Sequence, residues 1–403
     1  MEWKEVRLGD VCTRVCSGGT PKSTNLSYYG GEIPWLNTKE IDFNRIYSTE
    51  KTITDSGLNN SSAKWIVPNT VTVAMYGATA GKSCIVKVPM TTNQACCNLT
   101  INDEVADYEF VYYSLKNDYT TLASLANGGA QQNLNAQIIK DYVLKMPSLA
   151  DQRRIASILS SLDRKIELNN KINADLEEMA QVIFKNWFVD FEPFKDGKFV
   201  DSELGMIPEE WKVGCLGDMG AVVCGKTPSK TNSNYYGGDI PFIKIPDMHG
   251  NVFVENSEDR LTEEGSLSQI KKLIPPYSLM VSCIATVGLV SINTKPSHTN
   301  QQINTVIPHN KSALFYLYQH IKNNEEFLKN MGRGGTTTLN VNTKSFSNIR
   351  LLIPSEIALE QFHEIVEGLF KKIEQNLHES RTLSLLRDTL LPRLMSGELE
   401  VPE

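Results

Sequence analysis

Tyr28-Tyr29-Gly30-Gly31-Glu32-Ile33-Pro34-Trp35 comes back as Tyr235-Tyr236-Gly237-Gly238-Asp239-Ile240-Pro241-Phe242, 207 positions further on (235 − 28). Working outward, the same shift recurs along the chain to within one residue. Trp3-Lys4 and Leu8-Gly9-Asp10 return as Trp211-Lys212 and Leu216-Gly217-Asp218, and Ala78-Thr79 with Gly81 as Ala285-Thr286 with Gly288. Asn93-Gln94 returns as Asn300-Gln301, Gly128-Gly129 as Gly334-Gly335, and Pro147-Ser148 as Pro354-Ser355. A period this long excludes a solenoid, whose units run ~20–50 residues. A whole domain is duplicated in tandem, which suits a ligand that itself has two similar parts.

Composition is that of an ordinary soluble globular protein, 41% hydrophobic and 22% charged over 403 residues, with room for about two to four domains. No apolar run approaches the ~20 residues that cross a bilayer. Met1-Glu2-Trp3-Lys4-Glu5 has no apolar signal core. The eight cysteines include no Cys-x-x-Cys pair and read as small buried hydrophobes of a reducing compartment. A cytoplasmic location without membrane contact is expected. The net charge of −7 is unevenly spread. Residues 1–150 carry 13 Lys+Arg against 14 Asp+Glu, and residues 195–355 carry 16 against 15. The acidity therefore sits in the segments after each repeat, leaving the large blocks free to form local basic patches.

Each repeat has two parts. The first mixes β-branched runs such as Thr70-Val71-Thr72-Val73-Ala74-Met75-Tyr76 with Gly, Asn and Pro punctuation, which predicts an α+β domain. Short helices are expected at 107–117 and 311–330. The second part is helical, since 151–188 holds no Gly or Pro. Steps of seven give Ile155, Leu162, Asn169, Leu176 and Ile183, with a companion row three further on at Ile158, Ile172 and Met179 that Lys165 interrupts. The second repeat gives Phe362, Leu369, Asn376, Leu383 and Leu390, with Ile365 and Leu386 as companions. Such rows read as coiled-coil seams. Asn169 and Asn376 fall at matching positions, either as polar residues that fix register or as solvent-facing ones. Chain connectivity then makes the two helices antiparallel. The expected layout is a globular domain at 1–150, a spacer helix at 151–190, a linker and second globular domain at 191–355, and a second helix with its tail at 356–396. About 38 helical residues at ~1.5 Å each would span roughly 57 Å.

Several chemistries are excluded. Gly77-Ala78-Thr79-Ala80-Gly81-Lys82-Ser83 has three residues between its glycines where a phosphate-binding loop needs four, and Gly288-Leu289-Val290 lacks the Lys and Ser. Ile274-Pro275-Pro276-Tyr277 lacks the Asp or Asn that an amino-methyltransferase needs to accept from its target amine. All six histidines lie in the second repeat, so the copies share no His-based site, and nothing has metal-ligand spacing. No enzyme, metal or cofactor is read in this chain.

What the copies share is polar and glycine-bearing: Thr20-Pro21-Lys22 with Thr227-Pro228 and Lys230, the Tyr-Tyr-Gly-Gly turns, the Ala-Thr-x-Gly loops and the Asn-Gln pairs. What diverges sits inside a shared frame. The segment 127–135, with Gln131, Gln132, Asn133 and Asn135, becomes 333–340, with Arg333, Thr336, Thr337, Thr338 and Asn340. The Leu-Asn pair at 134–135 is matched to Leu339-Asn340. Variable amide, hydroxyl and guanidinium groups suit base edges, where Gln or Asn pairs with adenine and Arg with guanine. A plain Gly/Asn-rich turn is the alternative for any one residue. Candidate DNA contacts are therefore these residues together with Thr20, Thr79, Asn93, Gln94, Thr227, Thr286, Asn300 and Gln301. Lys22, Lys39, Lys82, Lys230, Lys244 and Lys344, with Tyr28, Tyr29, Tyr76, Tyr235 and Tyr236, are candidates for contacts nearby, phosphates among them.

The chain resembles the specificity subunits of type I restriction–modification systems. The carriers are Leu8-Gly9-Asp10 to Ser17-Gly18-Gly19-Thr20-Pro21, Gly30-Gly31-Glu32-Ile33-Pro34-Trp35, and Pro147-Ser148 leading through Gln152-Arg153-Arg154-Ile155-Ala156 into a helix. Asn186-Trp187-Phe188-Val189-Asp190-Phe191-Glu192-Pro193-Phe194 and Gly205-Met206-Ile207-Pro208-Glu209-Glu210-Trp211 complete the set. The resemblance implies two target-recognition domains that each read half of a split double-stranded DNA site, and an antiparallel spacer. It implies two methyltransferase (modification) subunits that hold S-adenosylmethionine and methylate adenine, with restriction subunits as an optional ATP-driven addition. The second repeat departs by having Cys224-Gly225-Lys226-Thr227 in place of the Ser-Gly-Gly form.

A strut of that length corresponds to roughly 17 base pairs at ~3.4 Å each, which would leave a gap unread. The aromatic series Phe184, Trp187, Phe188, Phe191 and Phe194 reads either as a patch facing a partner protein or as packing at the strut's ends. A two-headed protein-docking scaffold using the acidic helices is the rival to DNA recognition, but it leaves the matched-loop variation unexplained.

Overall fold

The structure, a computed structural model, describes residues 2–126, 133–333 and 339–401. Two compact units emerge, the first from residues 1–166 with 381–403 and the second from 167–380. Each globular part therefore takes half of both long helices.

Both units are built on the same five-stranded sheet. In the first its order is Cys12–Ser17, Cys96–Ile101, Val71–Ala74, Ser83–Val86 and Arg45–Ile46, antiparallel except at the last pair. In the second it is Gly220–Cys224, Ile303–Pro308, Leu279–Ser282, Val290–Asn293 and Phe253–Val254, with the same directions. Strand side chains alternate between faces, and here both faces are buried. Val71, Val73, Ile85, Cys97 and Leu99 point to a helix layer containing Phe110, Val111 and Leu115, while Ala74, Cys84, Val86 and Cys96 point to a second cluster with Leu36 and Ile41. A smaller sheet flanks each large one. Its central strands, Tyr29–Leu36 and Tyr236–Ile243, pair in parallel at Trp35↔Thr91 and Phe242↔His298. The expected α+β fold in two similar copies is present.

Short helices occupy the two predicted stretches, with the second broken at Asn324 into Leu314–Asn323 and Glu325–Gly332. The long helices run Leu149–Phe188 and Glu356–Met395, 40 residues each. Within the second unit, Asn169 and Asn173 meet Asn376 and Ser380, while Phe184 and Phe188 meet Phe362. Those contacts run in opposite sequence sense. Asn169 and Asn376 are buried, at 0% and 1% exposure, rather than solvent-facing. They do not bond side chain to side chain. Asn169 Nδ2 donates to Glu379 Oε2 at 2.9 Å and Ser380 Oγ at 3.2 Å, and Asn376 Nδ2 donates to Asn173 Oδ1 at 2.9 Å.

The companion rows are a correction. Met179, Ile365 and Leu386 are 52%, 47% and 45% exposed. The second row, buried or half-buried throughout, lies four residues on, not three: Leu159, Ile166, Asn173, Ala180 and Trp187 in one helix, and Val366, Ile373, Ser380, Arg387 and Leu394 in the other. The row beginning at Ile155 thus occupies the d position of a heptad and the next row the a position. Lys165, which interrupts the expected companion row, lies outside the two rows that pack. The partner-facing patch is also corrected. Phe184 and Phe188 are each 4% exposed inside the second unit's core, with Trp187, Phe191 and Phe194 packed against them.

The two units hold their helices by different chemistry at equivalent positions. In the first, Arg45 lies 3.3 Å from Glu109 and 3.6 Å from Asp163, and Arg387 Nη1 donates to Asp163 Oδ1 at 2.7 Å. Tyr113 adds its hydroxyl to Asp163 at 2.5 Å. In the second, strand register makes Phe253 the counterpart of Arg45, since Arg45 pairs with Ile85 and Phe253 with Ile292. Matched ten-residue helices make Phe315 the counterpart of Glu109. The repeat shift makes Phe370 the counterpart of Asp163 and Ala180 that of Arg387. Phe315 stacks on Phe370 at 4.1 Å, and Phe253 meets the same ring at 6.3 Å. An ionic seat in one copy is an aromatic seat in the other. Asp163→Leu removes the carboxylate that Arg45 and Arg387 share, leaving them only Glu109 and Asp388, and should cost the first unit about 3–5 kcal/mol. The set R45F/E109F/D163F/R387A, which copies the second unit, should recover most of that. Urea titration followed by hydrogen exchange of each unit reads both.

Candidate nucleic-acid interface

The site is assembled from loops at one edge of each pair of sheets. The strand Val71–Ala74 leads into it, and there Met75 N–H donates to Ala95 O at 2.8 Å. Tyr76 forms an isolated bridge with Asn133, and Leu134 N–H donates to Met75 O at 2.7 Å. The 3₁₀ turn Gly77–Thr79 follows, and Thr79 Oγ1 donates to Thr38 O at 3.0 Å. Asn93 Nδ2 donates to Asn37 Oδ1 at 3.2 Å, and Thr20 donates its hydroxyl proton to Gln94 Oε1. Thr20, Thr79, Tyr76, Asn93, Gln94 and Asn133 are thus brought onto one continuous rim. Asn37 and Thr38 belong to that rim and were not among the predicted residues. The Asn37-Thr38-Lys39-Glu40 stretch carries a capping-box signature that marks the turn, and Asn37 N–H donates to Glu40 Oε1 at 3.0 Å.

The second unit repeats the arrangement. Thr227 Oγ1 donates to Gln301 Oε1 at 2.7 Å, Cys283 N–H donates to Gln302 O at 2.8 Å, and Ile284 bridges Asn340. Equivalence of the bridges pairs Tyr76 with Ile284 and Asn133 with Asn340. That corrects the sequence matching of Leu134-Asn135 to Leu339-Asn340. The true counterpart of Leu134 is Val341, whose N–H donates to Cys283 O at 2.9 Å. Asn135 corresponds to Asn342, and both cap short helices, accepting from Ile138 N–H and Ser345 N–H at 2.9 Å. The match of Ala78-Thr79 to Ala285-Thr286 slips by one as well. Gly77 and Ala285 share a left-handed backbone, at φ 78° and 62°, and that conformation costs an alanine roughly 1–2 kcal/mol.

Not every candidate side chain is available to a ligand. Asn93 Oδ1 accepts from Ala95 N–H at 3.0 Å, and Asn300 is closed the same way onto Gln302, at 3.1 Å for its oxygen and 2.9 Å for its amide. The Tyr29 and Tyr236 hydroxyls donate inward to Pro21 O and Pro228 O, at 2.6 and 2.8 Å. The carbonyls of Tyr28 and Tyr235 accept from Thr54 and Thr262 N–H at 3.0 Å. Lys82 is paired with Asp42 at 2.6 Å, Lys39 with Glu50, and Lys244 with Asp259. Lys22, Lys230 and Lys344 are exposed and form no ion pair among the described residues. Thr286 and Arg333 are exposed, and Arg333 Nη1 donates to Asn330 Oδ1 at 2.8 Å. Gln131, Gln132, Thr336, Thr337 and Thr338 lie outside the described residues.

Two glycines in each copy explain why the frame survives in both. Gly30 and Gly237 sit at φ 78° and 87° in the Tyr-Tyr-Gly-Gly turn, where an L side chain is strained. Gly18 and Gly225 lie so close to backbone that an added Cβ would meet Thr92 O at 2.1 Å and Asn300 O at 2.2 Å. Among the described residues no cluster of three His, Cys, Asp or Glu is placed to hold a metal, and no helix is long and apolar enough to cross a membrane.

The family described as type I restriction modification DNA specificity domain matches residues 1–178 and 208–385. The HindI specificity subunit of Haemophilus influenzae is 37% identical over 354 residues, covering 72% of this chain and 77% of that one. The MjaIX specificity subunit of Methanocaldococcus jannaschii is 30% identical over 417 aligned residues, covering 100% and 94%. Among solved structures, the type I S subunit from M. genitalium superposes with a TM-score of 0.61 at 16% identity, over 98% of this chain and 96% of that one. That likeness speaks to the fold.

One supporting residue sets a pH limit on this interface. His298 stands where the first unit has Thr91, fully buried, with Nε2 2.8 Å from Ser266 Oγ and Nδ1 unpartnered. Burial lowers its pKa to about 4, so it is neutral in the folded chain. The unfolded chain takes up the proton near pH 6.5. Stability is therefore full above that pH and drains away between pH 6.5 and 4, by on the order of 3 kcal/mol. Thermal unfolding across that range should show the second unit losing stability on acidification. His298→Thr should remove its share of the loss and leave that of His320, whose pKa burial also lowers to about 4.

Proposed function

The chain belongs to the type I restriction–modification DNA specificity family, and from that premise we propose that it is a non-catalytic DNA sequence-specificity subunit whose two globular units each read one half of a bipartite site. The observation that carries this is the duplicated rim: one hydrogen-bonded frame, present twice, holding loops of different composition. A frame fixes where side chains stand, and the loop residues decide which base edges they match. In the first unit the readers are drawn from 127–133 with Tyr76; in the second, from 333–340 with Thr286. Asn93, Asn135 and Asn300 act as braces for those loops, since their amides are already engaged.

The long helices form the antiparallel coiled-coil spacer that sets the unread gap, with the recognition domains at 1–150 and 191–355. The opposed contacts within the second unit and the buried polar residues Asn169, Asn173 and Asn376 support this, because polar core positions fix one register. Apolar residues left exposed on those helices, among them Leu168, Met179, Ile365 and Leu386, are the surface we assign to two methyltransferase subunits. S-adenosylmethionine would be held by those partners, and restriction subunits would join the same complex. Such a complex works in the cytoplasm. Nothing in the relatives favours a protein-docking scaffold over this reading.

The test is an exchange. In complex with the modification partner, replacing 127–135 should change one half-site of the bound sequence and replacing 333–340 the other, each leaving its neighbour intact. Equal binding at ~150 mM salt to the selected duplex, a gap-shifted one and a half-scrambled one sinks the proposal.

A further inference from the structure

The two rims share a feature that loop divergence cannot explain. In each unit a threonine hydroxyl occupies the Oε1 of an exposed glutamine, Thr20 on Gln94 and Thr227 on Gln301. In each the following proline carbonyl is held by a tyrosine hydroxyl, which locks the turn that carries the threonine. With one Oε1 lone pair taken and the oxygen turned toward the threonine, what each glutamine chiefly presents outward is its amide N–H pair, a donor. An unpaired lysine follows in each turn, Lys22 and Lys230, whereas three other candidate lysines are neutralised by carboxylates. A clamped amide donor, with an ammonium free of ion pairs carried on the same turn as the clamping threonine, suits an anionic oxygen. It suits adenine poorly, because reading adenine needs the glutamine oxygen as an acceptor. The Thr–Gln and Tyr–Pro bonds are the same in both units, with a lysine two residues after Thr20 and three after Thr227, so this construction cannot tell two different half-sites apart.

We infer that Thr20–Gln94 with Lys22, and Thr227–Gln301 with Lys230, are paired phosphate anchors that seat each unit on the DNA backbone independently of sequence. The inference rests on the proposed function and assigns these residues a positioning role, leaving base reading to the divergent loops.

Q94E/Q301E is the direct test, because glutamate still accepts from the threonine but replaces the amide donor with a carboxylate. The full chain is assembled with its modification partner. It is then titrated against a duplex of about 40 base pairs carrying its selected site, and against the same duplex with both halves scrambled, between about 50 and 200 mM salt. Both affinities should fall by the same factor, about tenfold or more, with the selected-to-scrambled ratio unchanged. K22A/K230A, at exposed positions without ion pairs, should also weaken both equally and make the slope of log K against log salt shallower by about two, one per lysine. If the glutamate pair lowers the melting temperature, the lysine pair carries the test with the same two readings. A fall in the ratio, or no change on either duplex, overturns the inference. A wild-type complex that never prefers the selected duplex overturns the proposed function instead.

Discussion

The structure depends on how two 40-residue helices find cover. A helix of that length has no core of its own, and its stability comes from packing one face. Each helix here divides that task, giving its first half to one unit and its second half to the other. The buried rows at Ile155 and four residues beyond exist because a globular body and the facing helix close over them together. Where the globular body seats, the first unit uses Arg45, Glu109, Asp163 and Arg387, and the second uses Phe253, Phe315, Phe370 and Ala180. Ion pairs taken from water repay their desolvation only with good geometry, whereas stacked rings need no partner charge. Both solutions fit the same backbone, so the fold tolerates either chemistry at one position.

The same separation of frame from content governs the loops. The Thr–Gln bond, the Tyr–Pro bond and the crowded glycines recur in both units, and they are the contacts that fix backbone. Among the described rim residues, side chains outside these bonds, such as Tyr76 against Ile284, differ between the copies. Ala285 shows that even the frame drifts, since it keeps the left-handed conformation that Gly77 adopts without strain. A scaffold of this kind lets half of a recognition sequence change without disturbing the other half.

Much of this was legible in the residues themselves. Exact repetition exposed the duplication, and β-branched runs such as 70–76 placed the central strands. The long helices were visible from the lack of Gly and Pro at 151–188. What stayed hidden has physical reasons. Apolar character alone cannot say which of two faces is buried, and Ile172, Met179 and Ile365 drew the companion row one step too early. The Leu-Asn dipeptides at 134 and 339 matched by identity, while the hydrogen bonds match Leu134 to Val341. The ionic seat joins residues 45, 109, 163 and 387, which no local pattern connects. Which candidate amides are free and which are spent also needed coordinates, as Asn93 and Gln94 show side by side.

The central claim is that one chain reads two separated stretches of a double helix with two differently equipped copies of one frame. Selection from a random duplex pool by the complex with its modification partner, followed by sequencing, tests it most directly. The account predicts two different specified blocks separated by a fixed number of unspecified base pairs. A single contiguous block, two identical blocks, or a gap of variable length would contradict it.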